Sequence, residues 1–559
     1  MAGGTWIDQN KVRPGVYINY KSSPQALSTM GERGTVAIAR QLSWGEVGKL
    51  IAIEDPSDCA TKLGFSSTAD EMLFIRQILL GSNRTNGAKK VLVWRLDCAG
   101  ALKASALLGT DTGAAKAEAR YVGTRGNDIS IVVTAVNNSD NKPVGYAIQT
   151  LLAGKVIESV TVKLEATGSQ IESNSYVVFS GGAIKEGTYP LTGGFDGELY
   201  KDGSAASLRK VDGDTNGEIE ITCNMKGVVG NSMSVTITND EMSVDKAATL
   251  KLYIDGTDEP IETMECSQYP FSKRGKYILV THKLNSTVLI ADKTYLTGGV
   301  DGTTPDASIY DAFFTALKTI AFDVLIYDGK DATLKSTFAS FVKDQSNDEG
   351  KRCQCVLSEY VADNECIISC ANQSVTLDTG AVLKPEQLTW WVGGASAGAN
   401  VNESLTYSCY PGAVDIEPKL TRSEQEAQIE GGNFALISQF DKIQVLTDIN
   451  SFTTFSVEKG KAFRKNRVVR TVFGLCNDIY KTFALYYIGA VHNDEEGRKA
   501  LKAEILNLML KYQGNRALQN VVVDDVTVNK GVDSDAVVIE INCQPVDSIE
   551  KIYINITIS

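Results

Sequence analysis

The chain contains only two histidines, the side chains best suited to proton transfer near neutral pH. His282 lies in the strand-like run ILVTHKL, and His492 stands beside Asn493, just before a predicted helix. A Ser-His-Asp site needs a nucleophile beside a base that a third group orients. Neither histidine stands beside a nucleophile motif of the G-x-S-x-G type. These residues therefore predict no histidine-based active site.

Four of the eleven cysteines are close together in sequence: Cys353, Cys355, Cys366 and Cys370. Structural zinc sites combine cysteine pairs of defined spacing, and the C-x-C pair does not fit that pattern. Because CQCV is typical of a strand in an apolar context, we predict buried thiols rather than a zinc site.

The segment DGDTNG, residues 212–217, matches the first half of an EF-hand calcium loop. Position twelve of such a loop needs glutamate, but Cys223 stands there, and the flanking residues are typical of strands. We predict a polar linker turn instead. No Walker-type G-x-x-x-x-G-K-[ST] loop occurs. The sequence therefore predicts no catalytic residue, no metal and no cofactor, and a protein that is not an enzyme.

Two groups of basic residues accompany predicted helices. The group at residues 461–470 predicts either the solvated start of a helix or a contact with an acidic protein surface. Nucleic acid is disfavoured, because the net charge is −13 and aromatic residues are sparse among the basic ones. The groups are Lys461, Arg464, Lys465, Arg467 and Arg470, and Arg498, Lys499 and Lys502.

The length of 559 residues predicts about three to five domains. The first residues lack the apolar segment of a secretory signal, and no stretch approaches the ~18 apolar residues of a membrane helix. Together with the odd number of cysteines, this predicts synthesis in a reducing cytoplasm and no membrane insertion.

Two motifs recur at nearly the same separation. GTRGN from Gly123 and GVVGN from Gly227 are 104 residues apart, and LTGGFDG from Leu191 and LTGGVDG from Leu296 are 105 residues apart. Each copy is rich in Val, Ile, Thr and Gly and lacks helical periodicity. The spacing predicts a tandem duplication of a small β domain.

Apolar strands and amphipathic helices on both sides of these copies predict one α/β domain that the copies interrupt. A final α+β region follows, with a helix at 494–515 that Asn493 or Asp494 can cap. We predict this division: an N-terminal arm (1–25), the first part of the core domain (26–100), two β domains (101–200 and 201–302), the second part of the core domain (303–450), a C-terminal domain (451–545) and a terminal strand (546–559).

Both ends of the chain predict strands outside a packed domain. KIYINITIS, residues 551–559, alternates isoleucine with other residues, which is typical of a half-buried strand. Such an apolar edge invites pairing with another chain. The residues expected to carry the pairing are Val12, Val16, Tyr17 and Ile18 at one end, and Ile552, Ile554, Ile556 and Ile558 at the other.

Six stretches follow one another along nearly the whole chain: RPGVYINY, GERGTVAIA with Trp44-Gly45, WWVGGASAGANVNESLTYSCYPGAV (390–414), LTDINSFTTF, FRKNRVVRTVFGLCNDIY and VVIEINCQPVDSIEKIYINITI. Together they resemble contractile phage tail sheath proteins, in particular those of phages and phage-derived particles of Gram-positive bacteria. Their order along the chain makes the set specific.

The resemblance implies a structural protein of the virion tail, made in the host bacterial cytoplasm. Copies would form six-membered rings stacked helically around a tail tube and would contract to drive that tube through a cell envelope. The implied partners are further copies, the tail tube protein, and baseplate and tail terminator proteins, without nucleic acid.

The resemblance further implies a subtilisin-like fold for the α/β domain and terminal arms that donate strands to neighbouring subunits. The two basic groups become candidate contacts with the tube or another subunit. Sheaths with a single β insertion are the simpler members, so the second copy would add to the outer surface.

Three alternatives stay open. The sheath of an R-type bacteriocin would differ only in genomic context. A protease-like hydrolase would need a histidine beside a nucleophile motif, and a β-rich adhesin or surface-layer protein would need a secretion signal.

Overall fold

The computed structural model describes residues 30–109, 113–200, 202–211, 218–239, 248–255, 257–266, 271–283, 290–300, 302, 305–371 and 373–558. The chain divides into two compact units. The larger unit comprises 33–400 and 404–466, and the smaller unit comprises 30–32, 401–403 and 467–558. The predicted N-terminal strand residues Val12, Val16, Tyr17 and Ile18, and the DGDTNG turn, lie outside the described residues.

The larger unit begins with the strands and the helix that the sequence predicts. TVAIA and VLVWR are continuous apolar runs, so their strands are buried on both faces. The helix Leu73–Leu80 ends before Gly81, whose φ of +69° suits glycine. The elements are β1 (Thr35–Arg40), β2 (Leu50–Ile53), α1 (Asp58–Leu63), α2 (Leu73–Leu80) and β3 (Lys90–Arg95).

Two β domains follow, each built from two sheets that share one apolar core. The first contains β4 (Ser105–Leu107), β5 (Ala115–Ala119), β6 (Ile129–Asn137), β7 (Pro143–Leu152), β8 (Lys155–Lys163), β9 (Val177–Gly181) and β10 (Gly187–Pro190). The second contains β11 (Ala205–Val211), β12 (Glu218–Lys226), β13 (Met233–Asn239), β14 (Ala248–Ile254), β15 (Glu262–Cys266), β16 (Phe271–Arg274), β17 (Ile278–His282) and β18 (Ile290–Tyr295).

The two β domains have the same strand order, apart from β16. The first has sheets β4-β5-β9 and β10-β6-β7-β8, and the second has β11-β12-β17-β16 and β18-β13-β14-β15. Strand β16 adds an edge to the second domain, where it pairs with β17. The recurring sequence motifs therefore belong to two domains of like topology.

A side-chain clamp explains why these motifs recur together. Asn127 Oδ1 accepts a hydrogen bond from Gly194 N at 2.8 Å, and its Nδ2 donates to Gly194 O at 3.0 Å. Asn231 makes the same two bonds to Gly299, both at 2.8 Å. A Cβ at Gly194 would approach Gly123 O to 2.4 Å, so this position tolerates only glycine. One asparagine thus joins the G-x-x-G-N loop to the LTGG segment in each domain.

The α/β region resumes after the β domains. Its elements are α3 (Asp311–Leu317), β19 (Val324–Ile326), α4 (Ala332–Asn347), β20 (Gln354–Ser358), β21 (Ile367–Cys370), β22 (Ser374–Leu377), β23 (Val382–Leu383), α5 (Pro385–Gly398), β24 (Ala413–Glu417), α6 (Arg422–Glu430), β25 (Asn433–Phe434), β26 (Leu436–Gln439) and β27 (Lys442–Val445).

One seven-stranded sheet includes strands from both sides of the β domains. Its order is β2-β3-β1-β19-β20-β21-β25, and all neighbours are parallel except β2 and β3. Val36 of β1 stands opposite Val324 of β19. The chain therefore leaves this sheet after β3, forms the two β domains, and returns to it.

The run WWVGG, residues 390–394, by itself predicts core packing at a tight turn. The packing is confirmed, because Trp390 and Trp391 are buried, but the turn is wrong. They lie within α5, which packs on the sheet. Trp391 Nε1 donates to Gly81 O at 2.6 Å, and its ring stacks on Tyr410 at 4.1 Å. Glycines in the motif misled the prediction, because a helical glycine also allows close packing: a Cβ at Gly394 would meet Ile78 O at 2.0 Å.

The smaller unit is built on two helices and two short β pairs. Asp494 caps the second helix by accepting from Gly497 N at 2.7 Å. The apolar stripe of this helix, Leu501, Ile505, Leu508 and Met509, is buried. The elements are α7 (Asn466–Tyr486), α8 (Glu495–Gly514), β28 (Leu518–Gln519), β29 (Val526–Lys530), β30 (Val537–Ile541) and β31 (Gln544–Pro545).

Residues 451–466, which the predicted division places in the C-terminal domain, are bonded within the larger unit. Ser451 N donates to Ile367 O at 2.8 Å, and Asn466 Nδ2 donates to Asp448 Oδ1 at 2.9 Å. The smaller unit takes up the chain only at 467. In the described ranges, every helix is too short or too polar to cross a membrane.

The asparagine clamps predict a matched pair of local effects. Asn127→Ala removes both side-chain bonds to the buried Gly194 peptide groups, which cost about 1–3 kcal/mol when left unpaired. We expect the Gly194 amide to exchange hydrogen about tenfold faster or more, with the Gly299 amide unchanged. Asn231→Ala should do the converse. Hydrogen exchange that rises equally in both β domains would contradict independent clamps.

Candidate assembly surface

The last described segment of the chain is extended and exposed. Val546 N donates to Ala517 O at 2.9 Å, and beyond that bond residues 546–558 form no helix or strand within the single chain. The four alternating isoleucines, Ile552, Ile554, Ile556 and Ile558, are 75%, 74%, 82% and 92% exposed. Burying an isoleucine fully stabilises by about 1.5–3 kcal/mol. The segment therefore has the composition of a strand without having a partner strand among the described residues.

A hairpin in the same unit offers open strand edges. In the part of the chain that the structure describes, β29 and β30 pair only with each other. Their inner face, including Val526, Ile539 and Ile541, packs against the core formed by α8. The outer face carries Thr527 and Glu540, opposite each other across the pair. An added strand could extend this sheet on either edge.

A cavity of about 190 Å³ adjoins the hairpin. Its apolar lining includes Phe483 of α7, Leu501 of α8, and Val537 and Ile539 of β30. His492 and Asp535 stand among the polar lining residues. A side chain from an added strand would find apolar contacts here.

The first described residues, from Met30 onward, lie against the apolar core of the smaller unit. Gly31 N donates to Asp478 Oδ1 at 2.9 Å, and the other carboxylate oxygen accepts from the Tyr512 hydroxyl at 2.7 Å. Asp478 is only 6% exposed. This one carboxylate of α7 therefore fixes both the segment at residue 31 and α8.

The first described residue and the beginning of the exposed C-terminal segment are bonded to neighbouring parts of the chain. Asn515 Nδ2 donates to Met30 Sδ at 3.0 Å, and two residues further along, Ala517 O accepts from Val546 N. Both bonds lie just beyond the end of α8. Met30, where the described chain begins, and Val546, where the exposed segment begins, are therefore both bonded to residues just after α8.

The basic residues divide into buried and exposed ones. Arg464 and Arg470 are 8% and 1% exposed, so the predicted solvated helix start is wrong for them. Arg470 Nη2 donates to Glu403 O at 2.9 Å. Burial lowers the pKa of Arg464 and of Arg467, which is half-buried. Charge counting along the sequence cannot show this, because backbone carbonyls can hold a buried guanidinium without an acidic residue nearby.

The remaining basic residues are accessible to different extents. Lys461 is exposed, and Lys465 is half-buried. On α8, Lys499 is exposed and pairs with Glu495 at 2.6 Å, while Arg498 and Lys502 are half-buried. Their contact with a tube or another subunit stays a prediction.

The two histidines lie in different surroundings. His282 is buried in β17, with its ring 5.8 Å from that of Phe271, and His492 lies on an exposed loop. Sequence reasoning missed that Gly394–Gly398 spells G-A-S-A-G, a match to the nucleophile motif. Ser396 is fully buried in α5, whereas a working nucleophile stands exposed at a turn from strand to helix.

The clustered cysteines are buried thiols, as predicted. Cys353, Cys355, Cys366 and Cys370 are at most 3% exposed, and burial raises the pKa of Cys366 to about 11. Among the described residues, no group of three or more His, Cys, Asp or Glu side chains could hold a metal ion. The thiols therefore contribute to packing.

Comparison with known families gives matches on both sides of the β domains. Residues 33–96 match the tail sheath protein Gp18 domain III N-terminal region. Residues 303–451 match the phage tail sheath protein central domain, and residues 458–559 match the phage tail sheath C-terminal domain. These regions contain the seven-stranded sheet and the smaller unit.

Several known proteins are similar to this chain over nearly its full length. The crystal structure of a sheath tail protein from Desulfitobacterium hafniense is 31% identical, covers 97% of this chain and 99% of its own, and superposes with a TM-score of 0.67. The corresponding values for a sheath tail protein from Listeria innocua are 25%, 94%, 95% and 0.62. Protein XkdK of the phage-like element PBSX of Bacillus subtilis is 28% identical over 572 residues, with both chains fully covered.

The Desulfitobacterium alignment is long enough to include both β domains as well as the sheet and the smaller unit. A relative above 30% identity over nearly the full length of both chains establishes common ancestry, and the family matches lie in the same order along the sequence. This chain therefore belongs to the phage tail sheath protein family.

Proposed function

We propose that the chain is the subunit of a contractile sheath whose copies are joined by donated strands. Copies form six-membered rings, and the rings stack helically around a tail tube. The observation that carries this proposal is the exposed segment 551–558, with its four alternating isoleucines, beside a β29–β30 hairpin whose edges are open among the described residues. One copy's segment would extend the hairpin of another.

The energetics favour a strand that is both paired and buried. Ordering the backbone costs about 1–2 kcal/mol per residue, which main-chain pairing in water offsets only in part. Burial of each isoleucine adds about 1.5–3 kcal/mol. The segment therefore binds stably only where an acceptor edge and an apolar surface occur together, as they do at β30 and the adjoining cavity.

Donor and acceptor are different surfaces of one chain, so each contact is heterologous. Such contacts generate rings when the rotation closes and helical assemblies when it does not. Met30 and Val546 are both bonded near residues 515–517, so strands donated from the two ends of the chain would stay attached at that place while the rest of the subunit moves. That arrangement suits a lattice that contracts without coming apart.

Contraction needs no nucleotide in this proposal. The extended sheath is metastable, a baseplate trigger releases the first ring, and each subunit then moves to a packing with more buried contact. The implied partners are the tail tube, baseplate and tail terminator proteins, and the implied location is the tail of a virion assembled in a bacterial cytoplasm. Contracted particles that return spontaneously to the extended form would reject this mechanism, because the extended state would then have the lower free energy.

A second candidate is the sheath of an R-type bacteriocin or another phage-derived particle. The similarity over the full length to XkdK, a protein named for a phage-like element, supports this second candidate. Both candidates share the assembly just described. Purified particles that carry DNA-filled heads would identify the phage, and headless contractile particles would identify the bacteriocin.

The donated strand predicts a face-specific effect on assembly. Ile554→Ser with Ile556→Ser removes apolar surface from one face of segment 551–558, and we expect tube formation to be lost. Electron microscopy of the concentrated protein measures this, and sedimentation verifies that the variant stays a folded monomer. As a matched control, Asn555→Ala with Thr557→Ala changes the opposite face and should still assemble. Equal tube formation by both variants would reject the strand account.

The carboxylate of Asp478 predicts a second separation of effects. Asp478→Ala removes the acceptor for Gly31 N as well as for the Tyr512 hydroxyl, at a cost of about 1–3 kcal/mol for buried groups left unpaired. We expect faster exchange of the Gly31 amide and weaker assembly.

The control is Tyr512→Phe, which removes only the bond to α8 and leaves the acceptor for Gly31 in place. It should assemble like the unaltered protein. If Tyr512→Phe impaired assembly as much as Asp478→Ala, the effect would lie in helix packing rather than at the root of the arm.

A further inference from the structure

The two β domains can be compared position by position, because their motifs align. Tyr121, Arg125 and Phe195 of the first domain correspond to Met225, Val229 and Val300 of the second. All lie at one end of each domain, around the loop that the asparagine clamp holds. The contacts made by this end of each domain therefore show how the surfaces of the two copies differ.

In the first domain this end is an interface within the chain. The Tyr121 ring meets Trp44 edge-on at 5.3 Å. Arg125 Nε donates to Gly64 O at 2.9 Å, and its guanidinium lies 4.3 Å from the centre of the Phe65 ring. The first β domain is thus bound to the α/β region through these side chains.

The same end of the first domain also receives the second domain. Arg274 of β16 lies 4.9 Å from the centre of the Phe195 ring. Lys276, in the turn after β16, pairs with Asp128 Oδ1 at 2.6 Å. The additional strand of the second domain therefore supplies this contact.

In the second domain the corresponding end is exposed and aliphatic. Met225, Val228, Val229 and Val300 are 42%, 52%, 53% and 53% exposed. Val300 lies next to the loop that begins at Gly227 and carries Val228 and Val229, because Gly227 N and Val300 N both donate to Ser204 O at 3.0 Å. Met225 precedes this loop by two residues. Single exposed apolar residues are ordinary, but here a contiguous group replaces side chains that form an interface in the other copy.

We infer that this end of the second β domain, formed by Met225, Val228, Val229 and Val300, docks against a second copy of this chain. The occupant follows from the equivalent end of the first domain, which binds two other parts of this same chain. Its aliphatic character calls for an apolar partner surface, unlike the lysine that Asp128 meets or the carbonyl and aromatic ring that Arg125 meets. The inference rests on the proposed assembly, which brings many copies within reach.

The experiment compares two variants of the full chain in the tube assay. Val229→Arg with Val300→Lys places charges on the docking end, and the first of these substitutions introduces the residue type that the first domain has at Arg125. Val144→Lys with Leu164→Lys is the matched control, since these residues are 50% and 40% exposed in the first domain and adjacent through Leu164 N and Val144 O.

We expect the docking variant to need at least a tenfold higher concentration for tube formation, with the control unchanged. Hydrogen exchange of the second β domain should stay as in the unaltered protein, which separates docking from folding. A photo-crosslinking side chain at position 229 should join two copies of the chain within tubes.

Normal assembly by the docking variant would overturn this inference and leave the sheath proposal intact. Crosslinks only to a different protein in whole particles would also overturn it. Failure of the unaltered protein to form tubes would instead reject the proposed function, and this inference with it.

Discussion

A β-strand must pair its backbone groups and cover its apolar face, and among the described residues segment 551–558 does neither within one chain. That constraint gives the smaller unit its character. Its hairpin keeps open edges over a well-packed helical core, and the bonds of Met30 and Val546 gather both terminal segments at the end of α8. The exposed segment and the open hairpin are therefore the features of this unit on which the proposed strand donation rests.

The larger unit solves the opposite problem, which is to hold several domains in one body. Pairing of β1 with β19 closes the sheet across more than two hundred residues of inserted chain. Arg95, 1% exposed, donates to Gly45 O and Val122 O at 2.8 Å, and so joins the sheet to the first β domain. The ion pair of Lys276 with Asp128 then joins the two β domains. These contacts hold the sheet and the two β domains together within the larger unit.

Duplication explains how such a body can acquire new surface. The strand order and the asparagine clamp are shared between the copies, whereas the side chains at the clamped end differ. In the first domain they contact the α/β region and the second β domain, and in the second domain they are exposed and aliphatic. The framework of the domain depends on a few glycines and one asparagine, which leaves the remaining loop residues free to change.

The sequence by itself determined the continuous strands β1 and β3, the capped helix α8, the paired motifs and the alternating isoleucines, because each depends on local periodicity or on a short motif. Only the tertiary structure decided that Ser396 and Trp391 lie buried in one helix and that Arg464 and Arg470 leave the solvent. The same holds for the bond between Asp478 and Gly31, which are 447 positions apart. Burial and long-range bonds depend on which distant segments pack together, and that information is absent from any local stretch of sequence.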